Sequence, residues 1–379
     1  MKTDIDAIIA RIRERCPPLL RVPFRVGGVP LDLWTNSEDV QRELAAYYAP
    51  FQDGPGTDDR AGFRISILEG KADKIVERPA RLRRARGGLG RIKEVIHDVP
   101  GGRIIEKVSS RLMVFAGEKE WAILGRVADG LHAAVNVVNA AYMRACHGRG
   151  LLILHAAAVA WEGRAVAIMG APGAGKSTAA LWCMEEGADY VTNDRLLVGP
   201  PPESAVLGVP KHPRINPGTR LTHPRLLARL APEERRRLAA LPMDELVRLE
   251  EKEDAAIEAL YGPNRLRIPT RLAGWVFLEW RFGEAPLTAS WAAFDVLRPW
   301  SGDILRALDP YDGPGGEIGL EEMFGRADAC LSRIPGLRIT GGADFPRLAR
   351  ILRAWMGMGA PPEIVPTHVQ LPLFSGDAR

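Results

Sequence analysis

The chain of 379 residues has little of what marks several large classes of protein. It contains four cysteines, Cys16, Cys146, Cys183 and Cys330, which lie far apart with no CxxC pair and no metal-ligand spacing. Such sparse cysteine fits a reducing compartment with buried thiols. We therefore expect a cytoplasmic protein without a cysteine metal site.

Long hydrophobic runs are also missing. No apolar stretch approaches the roughly 20 residues that a bilayer-spanning helix needs. Residues 1–16 form an amphipathic helix pattern with charges throughout, which is not the pattern of a signal peptide. We expect no membrane partner.

Charge of either sign is nearly balanced, with 51 Lys and Arg against 47 Asp and Glu and a formal net charge of +4. The basic clusters Arg81–Arg86 and Arg235–Arg237 have no interleaved aromatic residues. Solvated helix faces explain such clusters, so no nucleic-acid partner is expected. An Asn-Lys-x-Asp guanine signature is absent from the sequence as well, which argues against a GTPase.

Residues 170–177 carry a phosphate-binding pattern, Gly-Ala-Pro-Gly-Ala-Gly-Lys-Ser, which satisfies the Walker A spacing. The apolar run Arg164–Met169 before it predicts a buried strand, and Ser177–Glu186 predicts a helix that stops at Gly187. In this setting the pattern predicts a P-loop. The alternative is a glycine-rich turn that binds no ligand.

The predicted loop has a specific chemistry. Its glycines allow backbone N–H groups to face a phosphate, and the helix N-terminus adds partial positive charge. Lys176 is expected to reach the β- and γ-phosphates and the Ser177 hydroxyl to bind Mg²⁺. The residues expected to bind nucleotide are Gly170, Gly173, Ala174, Gly175, Lys176, Ser177 and Thr178.

A second apolar run, Leu151–Trp161, is separated from the P-loop strand by only Glu162-Gly163. Two residues can close a hairpin but not a parallel crossover, so the P-loop strand should have an antiparallel neighbour. A two-residue turn pairs Trp161 with Arg164, Val159 with Val166, Ala157 with Ile168, and His155 with Gly170. This register places His155 at the mouth of the loop, whereas a slip of one residue would turn it to the other face.

Asp194 follows the predicted helix and precedes the apolar strand Leu196–Val198. An aspartate beside a P-loop can bind Mg²⁺ or act as a general base. The alternative is a surface turn, which an Asn-Asp pair favours.

Residues 155–194 together resemble, without gaps, the catalytic domain of HPr kinase/phosphorylase, a bacterial seryl kinase whose core is shared with phosphoenolpyruvate carboxykinase. The resemblance implies an α/β P-loop kinase core with a mixed sheet, with ATP and Mg²⁺ as cofactors. It also implies that His155 and Lys176 belong to the active site and that Asp194 accepts the proton of the acceptor hydroxyl. A homo-oligomer is implied as well.

The chain departs from this family at three places. Asn193-Asp194 stands where the family has paired aspartates, and Thr178 where it has glutamate. The family's Glu-Arg-Gly segment, tied to its metal site and to phosphorolysis, is replaced by residues 208–219. We therefore expect a diverged kinase, and the resemblance does not extend to the phosphorylase reaction or to HPr as the substrate.

The expected organisation is an N-terminal α+β domain at 1–150 containing an antiparallel meander, a catalytic domain at 151–358 with a helical insertion at about 219–262, and a tail at 359–379. The expected activity is transfer of the ATP γ-phosphate to a hydroxyl, with a seryl residue of a protein or peptide as the family's precedent. A small-molecule hydroxyl acceptor, or an ATPase switch without an acceptor, are the alternatives. Weaker candidates for the site are Lys211, His212, Arg214, Glu251, Glu253, Asp254 and Arg281.

Overall fold

The structure, a computed structural model, describes residues 4–53, 63–71, 81–84, 92–242, 245–246, 249, 251–281, 286–308, 310–311, 318–358 and 364–365. The chain is mixed α/β, as its sequence predicts, and divides into two compact units. The first unit comprises Met1–Ile153, Val209–Lys211 and Ala307–Gly319, and the second comprises Leu154–Gly208, His212–Arg306 and Leu320–Arg379. Apart from 364–365, the predicted tail lies outside the described residues.

The described residues of the first unit include three α-helices and two short 3₁₀ turns, at Ala49–Phe51 and Ala128–Gly130. The helices are α1 (Ile5–Arg15), α2 (Glu38–Tyr48) and α3 (Leu131–His147). The strands are β1 (Leu20–Val22), β2 (Arg25–Val26), β3 (Val29–Pro30), β4 (Asp32–Thr35), β5 (Arg64–Glu69), β6 (Arg81–Arg84), β7 (Ile92–Val99), β8 (Gly102–Lys107), β9 (Leu112–Ala116) and β10 (Glu120–Gly125).

Eight of these strands form one mixed sheet in the order β1-β4-β5-β10-β9-β8-β7-β6. The run from β10 to β6 is an antiparallel meander, but β5 lies between β4 and β10 and is parallel to both. The expected meander is therefore wrong at β5, because strand order depends on pairing over long sequence distances. The apolar face of α1, formed by Ile5, Ile9 and Ile12, packs against the sheet residues Leu68 and Phe115.

The elements that follow begin with β11 (Leu152–Leu154), β12 (Ala157–Trp161), β13 (Arg164–Gly170), α4 (Lys176–Glu185), β14 (Asp189–Thr192), β15 (Leu196–Val198) and β16 (Ala205–Gly208). Next come β17 (Arg214–Ile215), which precedes the predicted insertion, and then α5 (Pro217–Thr222), α6 (Pro224–Leu227), α7 (Pro232–Ala239), β18 (Glu253–Asp254) and α8 (Ile257–Tyr261). The remaining elements are β19 (Thr270–Leu278), β20 (Thr288–Ala292), a 3₁₀ helix (Phe294–Trp300), α9 (Ser301–Ile304), α10 (Leu320–Leu331), β21 (Gly336–Thr340), α11 (Phe345–Met358) and β22 (Ile364–Val365).

The main sheet of the second unit runs β15-β16-β19-β13-β12-β14, and β21 joins β19 near its end. The central strand β13 is antiparallel to β12 and parallel to β19. The predicted hairpin pairs Ala157–Ile168, Val159–Val166 and Trp161–Arg164 are confirmed. Its turn has positive φ at both central residues, Glu162 (50°) and Gly163 (77°), as a two-residue hairpin of this hand requires.

Helices α4 and α11 pack on one face of this sheet. Their buried residues Ala180, Cys183, Leu348 and Leu352 meet strand residues such as Val166 in one apolar cluster. The core therefore fixes the N-terminus of α4 beside the end of β13. Among the described residues, no helix combines the length and the apolar character needed to cross a bilayer.

Candidate functional site

The Gly170–Ser177 loop joins the end of β13 to the start of α4. Gly170, Gly173 and Gly175 have φ angles of 156°, 87° and 84°, a region that other residues rarely adopt. Gly175 is the residue before α4 and has no side chain to cap it, so the first-turn N–H groups of this helix have no capping side chain. The loop therefore has the backbone conformation and the helix terminus that an anion site uses.

Two side chains from elements that are distant in the sequence contact the loop at Ala174 and Gly175. The indole N–H of Trp280 donates to the Ala174 carbonyl (2.9 Å). A Cβ atom at Gly175 would lie 2.7 Å from the ring of Phe345, so only glycine fits at this point. These contacts support the backbone of the loop at Ala174 and Gly175.

Lys176 is buried and folds back over its own loop. Its Nζ donates to the carbonyl oxygens of Gly170 (2.9 Å) and Ala171 (3.1 Å). Burial lowers the pKa of Lys176 to about 8, although the nearby charge of Asp194 opposes this shift. The amine is thus a buried cation whose hydrogen bonds go to neutral carbonyls.

The two hydroxyl groups after Lys176 face different partners. The Ser177 Oγ accepts a hydrogen bond from Asn193 Nδ2 (3.3 Å). The Thr178 hydroxyl instead lies 2.8 Å from the Thr219 hydroxyl, at α5. Thr178 therefore connects α4 to the region after β17, and its hydroxyl is engaged there.

Asp194 lies on the turn between β14 and β15, with a side chain that is 47% exposed. Its Oδ1 accepts from Arg195 Nη1 (2.6 Å) and lies 3.4 Å from His155 Nε2. The structure therefore brings two of the predicted catalytic residues, His155 and Asp194, into direct contact.

His155 does not continue the hairpin as the register predicts. The ladder ends at Ala157–Ile168, β11 stops at Leu154, and the backbone N–H of His155 donates to the Ile304 carbonyl (2.7 Å). The predicted pairing of His155 with Gly170 is thus wrong, because the His155 backbone is hydrogen-bonded to Ile304 of α9, which is distant in the sequence. The imidazole still reaches Asp194.

The other ring nitrogen of His155 meets groups that the sequence did not indicate. Its Nδ1 lies 2.7 Å from Arg306 Nη2 and 3.0 Å from the Asp303 carbonyl oxygen. A guanidinium only donates and a carbonyl only accepts, so Nδ1 can satisfy only one of these two contacts at a time. With Arg306 as the partner, Nδ1 is unprotonated and the ring proton is on Nε2, facing Asp194.

Burial, together with the charge of Lys176, lowers the pKa of His155 to about 4, against the opposing effect of Asp194. The imidazole is therefore neutral at physiological pH. Arg195, a direct neighbour of Asp194, is detectable from sequence, but Arg306 is separated from His155 by 151 residues and has no local signal.

The weaker candidates lie elsewhere or have other partners. Lys211 belongs to the first unit and donates to Asn136 Oδ1 (2.9 Å). Arg281 is exposed, and its backbone pairs with Gly342. Burial lowers the pKa of His212. The remaining candidates form ion pairs with one another or with other arginines, namely Arg214–Asp254, Arg220–Glu253 and Arg237–Glu251.

The oxygen donors beside the loop fit a hard cation such as Mg²⁺. Ser177 offers a hydroxyl and Asp194 a carboxylate, and Mg²⁺ is commonly bound by one or two carboxylates together with substrate phosphates. Within the described part of the chain, no three His, Cys, Asp or Glu side chains cluster as a metal site. Ser177 and Asp194 are the residues beside the loop that could hold such a cation.

The site as a whole combines a glycine-rich loop, a helix N-terminus, a buried amine and a partly exposed carboxylate in contact with a neutral imidazole.

A scan against protein-family models finds no matching family, and a search of curated proteins finds no match.

Proposed function

We propose that this chain is an ATP-dependent phosphotransferase, related to the HPr kinases, that transfers the γ-phosphate to a hydroxyl acceptor. The observation that carries the proposal is the loop between β13 and α4. There the Lys176 amine is buried against the Gly170 and Ala171 carbonyls, and Asn193 links Ser177 to the turn that carries Asp194. A phosphate-binding amine and a carboxylate base are the two groups that an in-line transfer needs on one site.

In this proposal the loop holds the β- and γ-phosphates through its N–H groups, and Lys176 replaces its carbonyl partners with phosphate oxygens. A buried cation stabilises developing negative charge more strongly than an exposed one, because the surrounding dielectric is low. Mg²⁺, bound through Ser177 and Asp194, would add further charge neutralisation there.

Asp194 is the proposed proton acceptor for the attacking hydroxyl. Its side chain is half exposed, so an acceptor can approach it, whereas both nitrogens of His155 face other protein groups. His155 is better suited to orient Asp194 by donating its Nε2 proton to Oδ1. The favoured acceptor class is a seryl residue of a protein or peptide, by the resemblance described above.

Labelled ATP tests this proposal. The purified protein, incubated with [γ-³²P]ATP, Mg²⁺ and a cell extract, should label one acceptor, which mass spectrometry then identifies as a protein, a peptide or a small molecule. Release of free phosphate alone would instead support an ATPase switch. Lys176→Ala is the control, because label that persists with this variant comes from other kinases in the extract.

The role of Asp194 gives the first specific prediction. Asp194→Asn should preserve the fold and most of the ATP affinity while lowering kcat by about 10²–10⁴-fold, the range of general-base catalysis. The measurements are kcat and the apparent constants for ATP and Mg²⁺. If the ATP and Mg²⁺ constants weaken together with kcat, Asp194 acts mainly as a metal ligand. A kcat close to that of the unmodified protein would remove it from the mechanism.

A further inference from the structure

A chain of hydrogen bonds leads from a buried tyrosine to the Ser177 hydroxyl. The Tyr190 hydroxyl donates to Asn193 Oδ1 (3.1 Å), and Asn193 Nδ2 donates to Ser177 Oγ (3.3 Å). Tyr190 lies on β14 and Ser177 in the first turn of α4, so the relay joins two separate elements of the second unit.

The first member of the relay is rigidly held. Tyr190 is fully buried, and its ring packs in an apolar cluster with Leu181 and Ile257. Its backbone N–H donates to the Arg265 carbonyl, and its carbonyl accepts from the Arg267 N–H, both at 2.8 Å. The phenol oxygen is therefore a fixed point, and a buried hydroxyl needs a polar partner such as Asn193.

The relay fixes the direction of each hydrogen bond. A phenol that donates to Oδ1 turns the Asn193 amide so that its NH₂ group faces Ser177. Because an amide nitrogen only donates, the Ser177 oxygen must accept, with one lone pair occupied and one left over. A carboxylate at position 193 would instead accept a hydrogen bond from the serine hydroxyl.

We propose that Tyr190 and Asn193 are positioning residues that hold the Ser177 oxygen, through one of its lone pairs, ready for the divalent cation that accompanies the nucleotide. This inference rests on the proposed function, since it concerns the same phosphate site. It assigns Asn193 a role that an aspartate cannot perform. It also leaves Asp194 as the one carboxylate of the 193–194 turn.

The test uses Tyr190→Phe, which removes a single oxygen atom. Calorimetry with a non-hydrolysable ATP analogue measures nucleotide affinity over a range of Mg²⁺ concentrations. The variant should need roughly three- to tenfold more Mg²⁺ for half-maximal nucleotide binding, the range that one hydrogen bond covers. Its affinity for the analogue without Mg²⁺ should stay unchanged.

Tyr261→Phe is the matched control. The Tyr261 hydroxyl also contacts α4, at the Leu181 carbonyl (3.2 Å), and it lies 3.1 Å from His223 Nε2. This variant should keep the Mg²⁺ dependence of the unmodified protein even where its melting temperature falls. An equal change in both tyrosine variants would mean that the effect is structural, and would overturn the relay.

A double-mutant cycle tests the order of the relay. If Tyr190 acts through Asn193, Tyr190→Phe should have no further effect on the Mg²⁺ requirement once Asn193→Ala is present. The same factor in both backgrounds would overturn the inference. If the unmodified protein does not bind the analogue with Mg²⁺, the proposed function and the relay both fail. If it binds while Tyr190→Phe behaves identically, the relay alone fails.

Discussion

Two lysines, Lys107 partly buried in the first unit and Lys176 buried in the second, have opposite kinds of partner. In the first unit, Lys107 Nζ pairs with a buried carboxylate, that of Glu94, which also accepts from Arg83 Nη1 (3.0 Å). In the second unit, Lys176 Nζ donates to two backbone carbonyls, and among the described residues it forms no ion pair. Both amines lie in low-dielectric surroundings, but only Lys107 has a neutralising partner.

The pKa values follow this difference. Burial lowers the pKa of Lys107, but the charge and hydrogen bond of Glu94 oppose the shift. Burial would raise the pKa of Glu94, yet Lys107 and Arg83 outweigh it and lower that pKa below its ordinary value of 4.5. Lys176 lacks such a close partner, and its pKa falls to about 8. A neutralised cation is typical of a structural role, and an uncompensated one of anion binding.

The same substitution at both lysines should separate these roles, and Lys107→Met should have the larger effect on the fold. It leaves the Glu94 carboxylate buried with only Arg83, so the free energy of unfolding should fall by about 3 kcal/mol, the lower end for a broken buried ion pair. Chemical denaturation measures this change.

The double variant Lys107→Met/Glu94→Gln serves as the control, because it removes the stranded charge and should recover most of the loss. Its pH dependence should also change. Since the pKa of Glu94 is lowered by folding, this carboxylate stabilises the native state above pH 4.5 and loses that effect as the pH falls through its folded value. The double variant should lack this contribution. Equal stability of Lys107→Met and the unmodified protein would contradict a structural ion pair.

Lys176→Met should leave the free energy of unfolding without ligand unchanged or raised, because no buried anion is left behind. With ATP and Mg²⁺ at a hundredfold excess over the dissociation constant, the unmodified protein should gain about 2.7 kcal/mol. The variant should gain almost nothing. Thermal shift with and without nucleotide measures both effects, and a full nucleotide shift in the variant would rule out Lys176 as the phosphate ligand.

Arg83→Gln should give the smallest effect. The Arg83 side chain is 41% exposed, and ion pairs at such sites contribute roughly 1 kcal/mol or less. The losses in the free energy of unfolding of Arg83→Gln and Lys107→Met, measured by chemical denaturation, would show which cation contributes more to neutralising Glu94. A loss as large as that of Lys107→Met would mean that the two cations act as one unit.

The parts of the site that were predictable from sequence are those fixed by local rules. The two-residue turn at Glu162-Gly163 determines the β12–β13 register, and the glycine spacing determines the loop conformation, so both could be predicted. The capture of His155 by α9 and its contact with Arg306 depend on packing across the second unit, which no local pattern encodes. The parallel pairing of β5 with β4 and β10, and of β13 with β19, could not be predicted for the same reason.

Tyr311 has a consequence for the order in which the chain can fold during synthesis. Its buried ring stacks on Trp121 with centroids 5.1 Å apart, lies under Lys107, and its carbonyl accepts from Arg144. Yet Tyr311 is translated almost last among the residues of the first unit, after most of the second unit has left the ribosome. A nascent chain that ends near residue 153 therefore lacks the Tyr311 ring that stacks on Trp121 in the folded unit. The first unit can reach its final packing only after the ribosome has passed residue 311.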